Sequence, residues 1–182
     1  MRDELRIRLV DAFRWVDPDD DGAHLVSDAS GWWRSAAILR DLGPALAALF
    51  DSAGPTVVLA PETSGFLVGP LVARELGVGF VEAYKDGRGL VADRVLARHA
   101  PTDLRGRAVT LSVRARHLSA ADRVLVVDDW AETGAQLSAL RNLVLDAGAT
   151  YLGAAVVVDG CDGRTRQVLR LRGLISRVDL EP

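Results

Sequence analysis

Apolar positions recur with two different periods along this chain, and the change of period divides it into two regions. In the first region, apolar residues fall at helical spacing from about Glu4 to Val16, which predicts an amphipathic helix that docks on the rest of the protein. The stretch GWWRSAAILRDLGPALAALF is also helical in pattern, and its Gly43-Pro44 pair either starts a second helix or kinks one. The N-terminal region, residues 1–50, is therefore predicted to be mainly helical.

From Thr56 the pattern changes to short apolar runs that alternate with helical segments. TVVLA reads as a strand, PETSG as a loop, FLVGPLVAREL as a helix and GFVEAY as a strand. The same order returns in RVLVV, DDWAETG, AQLSALRNLVLDAG and YLGAAVVV, with the second helix ending at Gly148. Strands that are continuous apolar runs and alternate with helices indicate an α/β fold with a mainly parallel sheet covered on both faces.

The segment from Asp86 to Arg107 separates the two halves and lacks clear periodicity. It is rich in arginine, and the AVTLSVRARHL stretch that follows it alternates like a partly exposed strand. A long irregular segment inside a compact domain is usually a functional loop or disordered. From its pattern alone, residues 86–107 are therefore expected to be either a functional loop or disordered.

Composition narrows the class of protein. A chain of 182 residues with 49% hydrophobic content is expected to form one domain, residues 1–182. The net charge of −3 disfavours a nucleic-acid binder and favours a small-molecule partner. The N-terminus predicts neither a signal peptide nor a membrane span, and the one cysteine, Cys161, is compatible with a reducing cytoplasm, so we expect a cytoplasmic protein in which Cys161 packs as a small apolar group.

Two loops carry the candidate chemistry. Parallel sheets place ligand sites beyond the carboxyl ends of their strands, so PETSG and DDWAETG are expected to lie at the same edge. Thr133-Gly134-Ala135 opens a helix, whose free N–H groups favour an anion such as phosphate. Asp128 and Asp129, just upstream, would accept hydrogen bonds from hydroxyl groups or face a metal ion. Together these features predict a sugar phosphate as ligand.

The acidic residues and histidines of this chain are also compatible with other kinds of site. An apolar strand followed by Asp is also typical of phosphate-loop nucleotide hydrolases, but the chain contains no G-x-x-x-x-G-K-[ST] motif. A purely structural acid pair, with one Asp capping the helix, remains open at this point. Residues 17–28 also match, although weakly, the spacing of acidic residues in a calcium-binding loop. The three histidines have no metal-ligand spacing, so no metal site made of protein side chains alone is expected.

The string from Arg123 to Leu140 resembles the donor-binding signature of type I phosphoribosyltransferases: an apolar strand, two acids, and a Thr-Gly loop leading into a helix. The resemblance extends from about Val57 to Val158 and is closest to the adenine phosphoribosyltransferase group. PETSGFLVGPLVARELGVGFVEAYK is similar to that group's first conserved stretch. The resemblance implies a single-domain type I phosphoribosyltransferase fold with a small N-terminal hood and a flexible active-site loop over residues 86–107.

The same resemblance implies a role for each matching residue. Asp128 and Asp129 would bind the ribose 2- and 3-hydroxyls and act as the catalytic pair. The 5-phosphate would be wrapped by Ala131, Glu132, Thr133, Gly134, Ala135 and Gln136. Pyrophosphate would be held by Glu62, Thr63, Ser64, Gly65 and Lys85, with a strained or cis peptide expected at Glu62–Thr63. The base would lie under the hood, near Leu25, Val26 and Ser27.

The implied activity is transfer of phosphoribose from 5-phospho-α-D-ribose 1-diphosphate (PRPP) to a nitrogenous base, a purine such as adenine, with release of pyrophosphate. The implied cofactor is Mg²⁺ bound with PRPP, near Asp128 and Asp129. The implied assembly is a homodimer, and neither nucleic acid nor a membrane is an expected partner. The alternative is a non-catalytic PRPP-binding sensor or regulator with the same fold.

Overall fold

The structure is a computed structural model that describes residues 2–17, 25–87, 90, 94–101 and 108–181. Two predictions from the sequence concern segments that lie partly outside these described ranges. The middle of the candidate calcium loop, with Asp19, Asp21 and Gly22, lies outside the described residues. Parts of the segment 86–107 also lie outside them, including Arg88, Arg105 and Arg107.

The described residues form short helices and strands that alternate through most of the chain. The helices are α1 (Arg2–Ala12), α2 (Ser30–Arg34), α3 (Ala36–Ala47), α4 (Gly65–Leu76), α5 (Ala135–Asp146) and α6 (Gly163–Val168). The strands are β1 (Arg14–Val16), β2 (Val26–Asp28), β3 (Val57–Pro61), β4 (Gly79–Lys85), β5 (Val95–Ala100), β6 (Val109–Arg114), β7 (Arg123–Ala131), β8 (Thr150–Asp159) and β9 (Leu171–Ser176). Short 3₁₀ turns cover Ala48–Phe50, Ala115–His117 and Arg177–Leu180.

Within the described ranges, seven strands make one sheet in the order β5-β6-β4-β3-β7-β8-β9. The strands β4, β3, β7, β8 and β9 run parallel, and β5 and β6 add an antiparallel edge. The short strands β1 and β2 form a separate antiparallel hairpin. The mixed α/β architecture with a mainly parallel sheet confirms the predicted fold class, and it brings the carboxyl ends of β3 and β7 together.

Both faces of the central strands are buried, which explains why they are continuous apolar runs. In β7, Val124 and Val126 pack into one core with α5, whereas Leu125 and Val127 pack into a second core with α1, α3 and α4. This alternation follows from the two-residue period of a strand. The sheet is therefore the middle layer of three, and the rigid strand ends provide a fixed base for the loops that follow them.

The structure corrects two local predictions and decides between two alternatives at Pro44. The first helix was expected to reach Val16, but it ends at Ala12, and Arg14–Val16 forms β1 because it pairs with Val26–Asp28. Pro44 does not start a second helix, since it lies inside α3, whose N-terminus is capped by the Ser35 side chain. The segment 86–107 is not irregular throughout, because Val95–Ala100 is a strand paired with β6.

Three individual residues, Arg98, Trp32 and Cys161, are held within the fold. Arg98 on β5 pairs with Asp146 at the end of α5 at 2.5 Å, so its guanidinium is bound within the fold. Trp32 is fully buried and donates to the Leu9 carbonyl, which makes it a core residue. Cys161 is buried beyond the end of β8, as expected for a small apolar group.

Candidate active site

A cavity of about 490 Å³ lies at the carboxyl ends of β3 and β7. The loop after β3 contributes Glu62, Thr63 and Ser64 to its lining, and the end of β7 with the following loop contributes residues 128–136. The predicted meeting of PETSG and DDWAETG at one edge of the sheet is therefore confirmed. The cavity is large enough to hold a small molecule with several polar groups.

Two carboxylates at the end of β7 project toward this cavity. Asp128 is 6% exposed, and its Oδ1 accepts a hydrogen bond of 2.9 Å from the Asp129 backbone N–H. Burial, followed by the neighbouring charge of Asp129, raises the pKa of Asp128 well above its usual value, while Lys85 opposes this rise. A buried carboxylate with so few protein donors is suited to receive hydroxyl donors or a cation from a ligand.

Residues 131–136 lead into the start of α5, and we call them the phosphate-type loop because a phosphate was predicted to bind there. Gly134 has a left-handed φ of 72°, and a Cβ there would lie 2.6 Å from Thr165 Cγ2 and 2.8 Å from Leu169 Cδ1. Only glycine meets both constraints, so the loop turns tightly against α6. No side chain caps the helix start at Gly134, and the Thr133 hydroxyl accepts from the Ala135 N–H at 3.3 Å. Ala135 and Gln136, the first residues of α5, line the cavity, and the first N–H groups of a helix have no partner within the helix.

The loop after β3 forms the opposite wall. The Glu62–Thr63 peptide bond is cis, as the sequence resemblance implied. The Glu62 carboxylate accepts from the Lys85 N–H at 2.9 Å, which ties this loop to the end of β4. Ser64 provides no side-chain cap to α4, and a Cβ at Gly65 would lie 3.3 Å from Asp128 Oδ1. Gly65 therefore lets the two loops approach each other, although it does not itself line the cavity.

The hood end of the cavity is formed by the β1–β2 hairpin and the C-terminal 3₁₀ turn. Leu25, just before β2, and Ser27 on β2 line it, whereas Val26 between them does not. Trp15, Trp130 and Arg177 also line this end, and the motifs in the sequence did not single them out. Trp130 lies within DDWAETG and could have been identified from that motif. No motif around Trp15 or Arg177 indicates that either residue belongs to the site.

Glu132 lies beside this hood end and is held by two protein groups. Its Oε2 accepts from Trp130 Nε1 at 2.7 Å, and its Oε1 lies 3.3 Å from Arg177 Nε. The carboxylate is thus neutralised by Arg177, and it lies 3.1 Å from the position that a Cβ on Gly160 would take. A negative charge at the start of a phosphate-type loop is therefore compensated within the protein.

The described residues lack two features. No cluster of three or more His, Cys, Asp or Glu side chains suited to a metal ion was found among them. No helix among them is both long and apolar enough to cross a membrane.

A family model and known proteins of similar sequence point to the same protein family. The family model described as phosphoribosyl transferase domain matches residues 34–172. A xanthine phosphoribosyltransferase from Lactobacillus delbrueckii subsp. bulgaricus is 38% identical over 122 residues, which cover 67% of this chain and 65% of that protein. A xanthine phosphoribosyltransferase from Brevibacillus brevis is 33% identical over 133 residues, which cover 73% of this chain and 68% of that protein. The match to the first of these relatives thus spans just under two thirds of its length.

Solved structures share the fold. Adenine phosphoribosyltransferase from Trypanosoma brucei, in complex with AMP, pyrophosphate and ribose-5-phosphate, superposes with a TM-score of 0.83 at 19% identity, covering 97% of this chain and 81% of that one. The enzyme from Giardia lamblia complexed with 9-deazaadenine superposes with a TM-score of 0.80 at 24% identity, covering 94% of this chain and 97% of that one. At these identities the similarity concerns the fold.

Proposed function

The chain belongs to the phosphoribosyltransferase family, and on that premise we propose that it transfers phosphoribose from PRPP to a purine base and releases pyrophosphate. One observation carries the proposal: an acid pair and two helix starts without side-chain caps surround a single cavity. A ribose with phosphate groups at both ends presents hydroxyls and anions in that arrangement.

PRPP is assigned to the two loops that follow β3 and β7. Asp128 and Asp129 accept hydrogen bonds from the ribose 2- and 3-hydroxyls. The N–H groups of residues 131–136 bind the 5-phosphate, and the Thr133 hydroxyl, which accepts from Ala135 N–H, keeps its own proton to donate to that phosphate. Residues 62–65 bind pyrophosphate through their N–H groups, and the Lys85 ammonium neutralises its charge as it leaves.

Mg²⁺ is the proposed companion of PRPP. The donor set fits such an ion, because Asp128 and Asp129 supply carboxylate oxygens, and a cation would favour the charged form of Asp128, whose pKa is raised first by burial and then by the charge of Asp129. When bound, the ion supplies charge neutralisation for the pyrophosphate group.

The chemistry requires positioning and charge stabilisation from this chain's residues rather than a protein nucleophile. Loss of pyrophosphate leaves positive charge on the sugar ring, which the two carboxylates stabilise, and the base then attacks C1. Ala100 and Pro101 of the segment 86–107 line the cavity, and we assign that segment to the exclusion of water during transfer.

The acceptor is proposed to be a purine held at the hood end, near Leu25, Val26 and Ser27. Adenine is the acceptor expected from the sequence resemblance, and xanthine is the base in the names of the curated relatives. The protein is further proposed to act in purine salvage in the cytoplasm, as a homodimer.

The test is release of labelled pyrophosphate from PRPP with a panel of purines and pyrimidines. We expect release with at least one purine and none with Asp128→Asn. Saturable binding of PRPP without release for any base would contradict the enzymatic proposal and support a sensor or regulator instead.

A further inference from the structure

Arg177, at the hood end of the cavity, contacts two carboxylates through two of its three guanidinium nitrogens. Arg177 Nε lies 3.3 Å from Glu132 Oε1, and its Nη1 donates to Glu181 Oε1 at 3.4 Å. No described residue accepts from Nη2. The side chain is 41% exposed and lines the cavity, so an incoming ligand can reach this nitrogen.

The two tryptophans beside Arg177 have no donor left to offer. Trp15 Nε1 donates to the Leu180 carbonyl at 2.6 Å, and Trp130 Nε1 donates to Glu132 at 2.7 Å. The two rings meet edge to face, with centroids 6.2 Å apart at 79°, and Arg177 lies over the Trp15 ring at 5.9 Å. Among the described residues that line this end of the cavity, Trp15 and Trp130 form an aromatic surface and Arg177 is the cationic donor beside it.

The hydrogen-bond donors of Arg177 limit which groups of a base it can bind. A guanidinium group only donates hydrogen bonds, so it matches a carbonyl oxygen and opposes an amino group at the same place. The Ser27 hydroxyl, which also lines this end, both donates and accepts, so it does not distinguish the two. Glu132 and Glu181 already neutralise the arginine, so the match requires a hydrogen-bond acceptor and not an anion.

We propose that Arg177 is a specificity-determining residue that donates from Nη2 to an exocyclic carbonyl oxygen of the acceptor base, so that the site favours oxopurines over adenine. The inference rests on the proposed function, because it assigns the base to the hood end of the cavity. Glu132 acts as a positioning residue in this arrangement, since it holds both Trp130 and Arg177.

A merely structural role for Arg177 would affect all bases alike, so the test compares bases. For Arg177→Met we expect kcat/KM to fall by about 10- to 100-fold for xanthine, hypoxanthine and guanine, the cost of one charged hydrogen bond. Because Arg177→Met also leaves the Glu132 charge uncompensated in the phosphate-type loop, both proteins are assayed at saturating PRPP, and kcat/KM for adenine is expected to fall much less than for the oxopurines. Arg177→Lys, which keeps a cationic donor, should recover part of the loss.

The chain offers a matched control for the 3₁₀ turn itself. Arg6 pairs with Asp179 of the same turn at 3.1 Å, but it is not among the residues that line the cavity. Arg6→Met therefore removes an ion pair from this turn without removing any atom from the cavity. We expect it to leave the ratio of oxopurine to adenine turnover unchanged.

Equilibrium binding of each base, followed by quenching of tryptophan fluorescence, separates this inference from the proposed function. If the wild type binds oxopurines more tightly than adenine and Arg177→Met removes the difference, the inference stands even without turnover. If the wild type turns over purines but Arg177→Met weakens adenine and oxopurines equally, the inference is wrong and the proposed function is intact. A wild-type preference for adenine would also overturn it.

Discussion

Replacing Asp128 by asparagine is expected to stabilise the fold while it weakens donor binding. Asp128 is buried, accepts one bond from the Asp129 N–H, and faces the like charge of Asp129. Asparagine keeps an oxygen for that bond but carries no charge. The substitution thus removes an unfavourable buried charge and, with it, the acceptor that we assign to the ribose hydroxyls.

The direction of the stability change follows from the raised pKa of Asp128. An aspartate with a raised pKa in the folded state costs stability as the pH rises from its unfolded value of about 4 towards the folded value, and the cost persists at neutral pH. Asp128→Asn lacks this cost, so its melting temperature should exceed that of the wild type at pH 7. The gain should vanish below about pH 4, where the carboxyl is protonated in both states.

Asp159 provides the matched control. It is buried to a similar degree at the end of the neighbouring strand β8, but it accepts from Arg166 Nε at 2.5 Å and from Cys161 N–H at 2.9 Å. Arg166 is 47% exposed, so Asp159→Asn should cost about 1–2 kcal/mol. For a chain of this size that lowers the melting temperature by roughly 2–8 °C.

The assays are thermal unfolding by circular dichroism at pH 7 and pH 4, and calorimetric titration with PRPP and Mg²⁺. Loss of hydrogen bonds to a charged acceptor should weaken PRPP binding by about 10- to 150-fold in Asp128→Asn. If Asp128→Asn melts at a lower temperature than the wild type, as Asp159→Asn is expected to do, Asp128 is a structural carboxylate. Unchanged PRPP affinity would likewise refute its assignment to the donor.

Three further predictions concern single residues around the cavity. Gly134→Ala should destabilise the protein by about 2–5 kcal/mol, from its left-handed φ and its overlap with Thr165 and Leu169, and an unchanged urea midpoint would contradict this. Lys85→Met should weaken pyrophosphate binding about tenfold or more in calorimetry, with little change in melting temperature, because the Glu62 carboxylate bonds the Lys85 backbone and not its side chain. Burial raises the pKa of Cys161 to about 11, so iodoacetamide at pH 8 should label the folded protein far more slowly than the unfolded chain, and equal rates would show that the thiol is accessible.

The central strands and their loops were predictable from sequence because both faces of each strand are buried. In β7 every residue from Val124 to Val127 is fully buried, so the run is apolar without interruption and ends where the acids begin. The position of both loops at one edge then followed from the parallel sheet. The hydrophobic pattern was therefore enough to predict the part of the site that these two loops form.

The remaining parts depend on contacts that local pattern does not encode. Strand β5 is an edge strand with mostly exposed residues, so it shows no alternation, and its pairing with β6 defines it. The first helix ends at Ala12 because residues 14–16 pair with β2, and the Trp15 indole bonds to the carbonyl of Leu180, a residue 165 positions away. Arg177 reaches the cavity by the same long-range packing, so neither residue could be assigned from its neighbours.

The most direct test of the central claim mixes the protein with PRPP, Mg²⁺ and equal concentrations of adenine, hypoxanthine, guanine and xanthine. Pyrophosphate release is followed with time, and the nucleotides are identified by mass spectrometry. We predict that one purine nucleoside 5′-monophosphate forms for each pyrophosphate released. PRPP that binds saturably while neither pyrophosphate nor any nucleotide forms would contradict the assignment as a phosphoribosyltransferase enzyme.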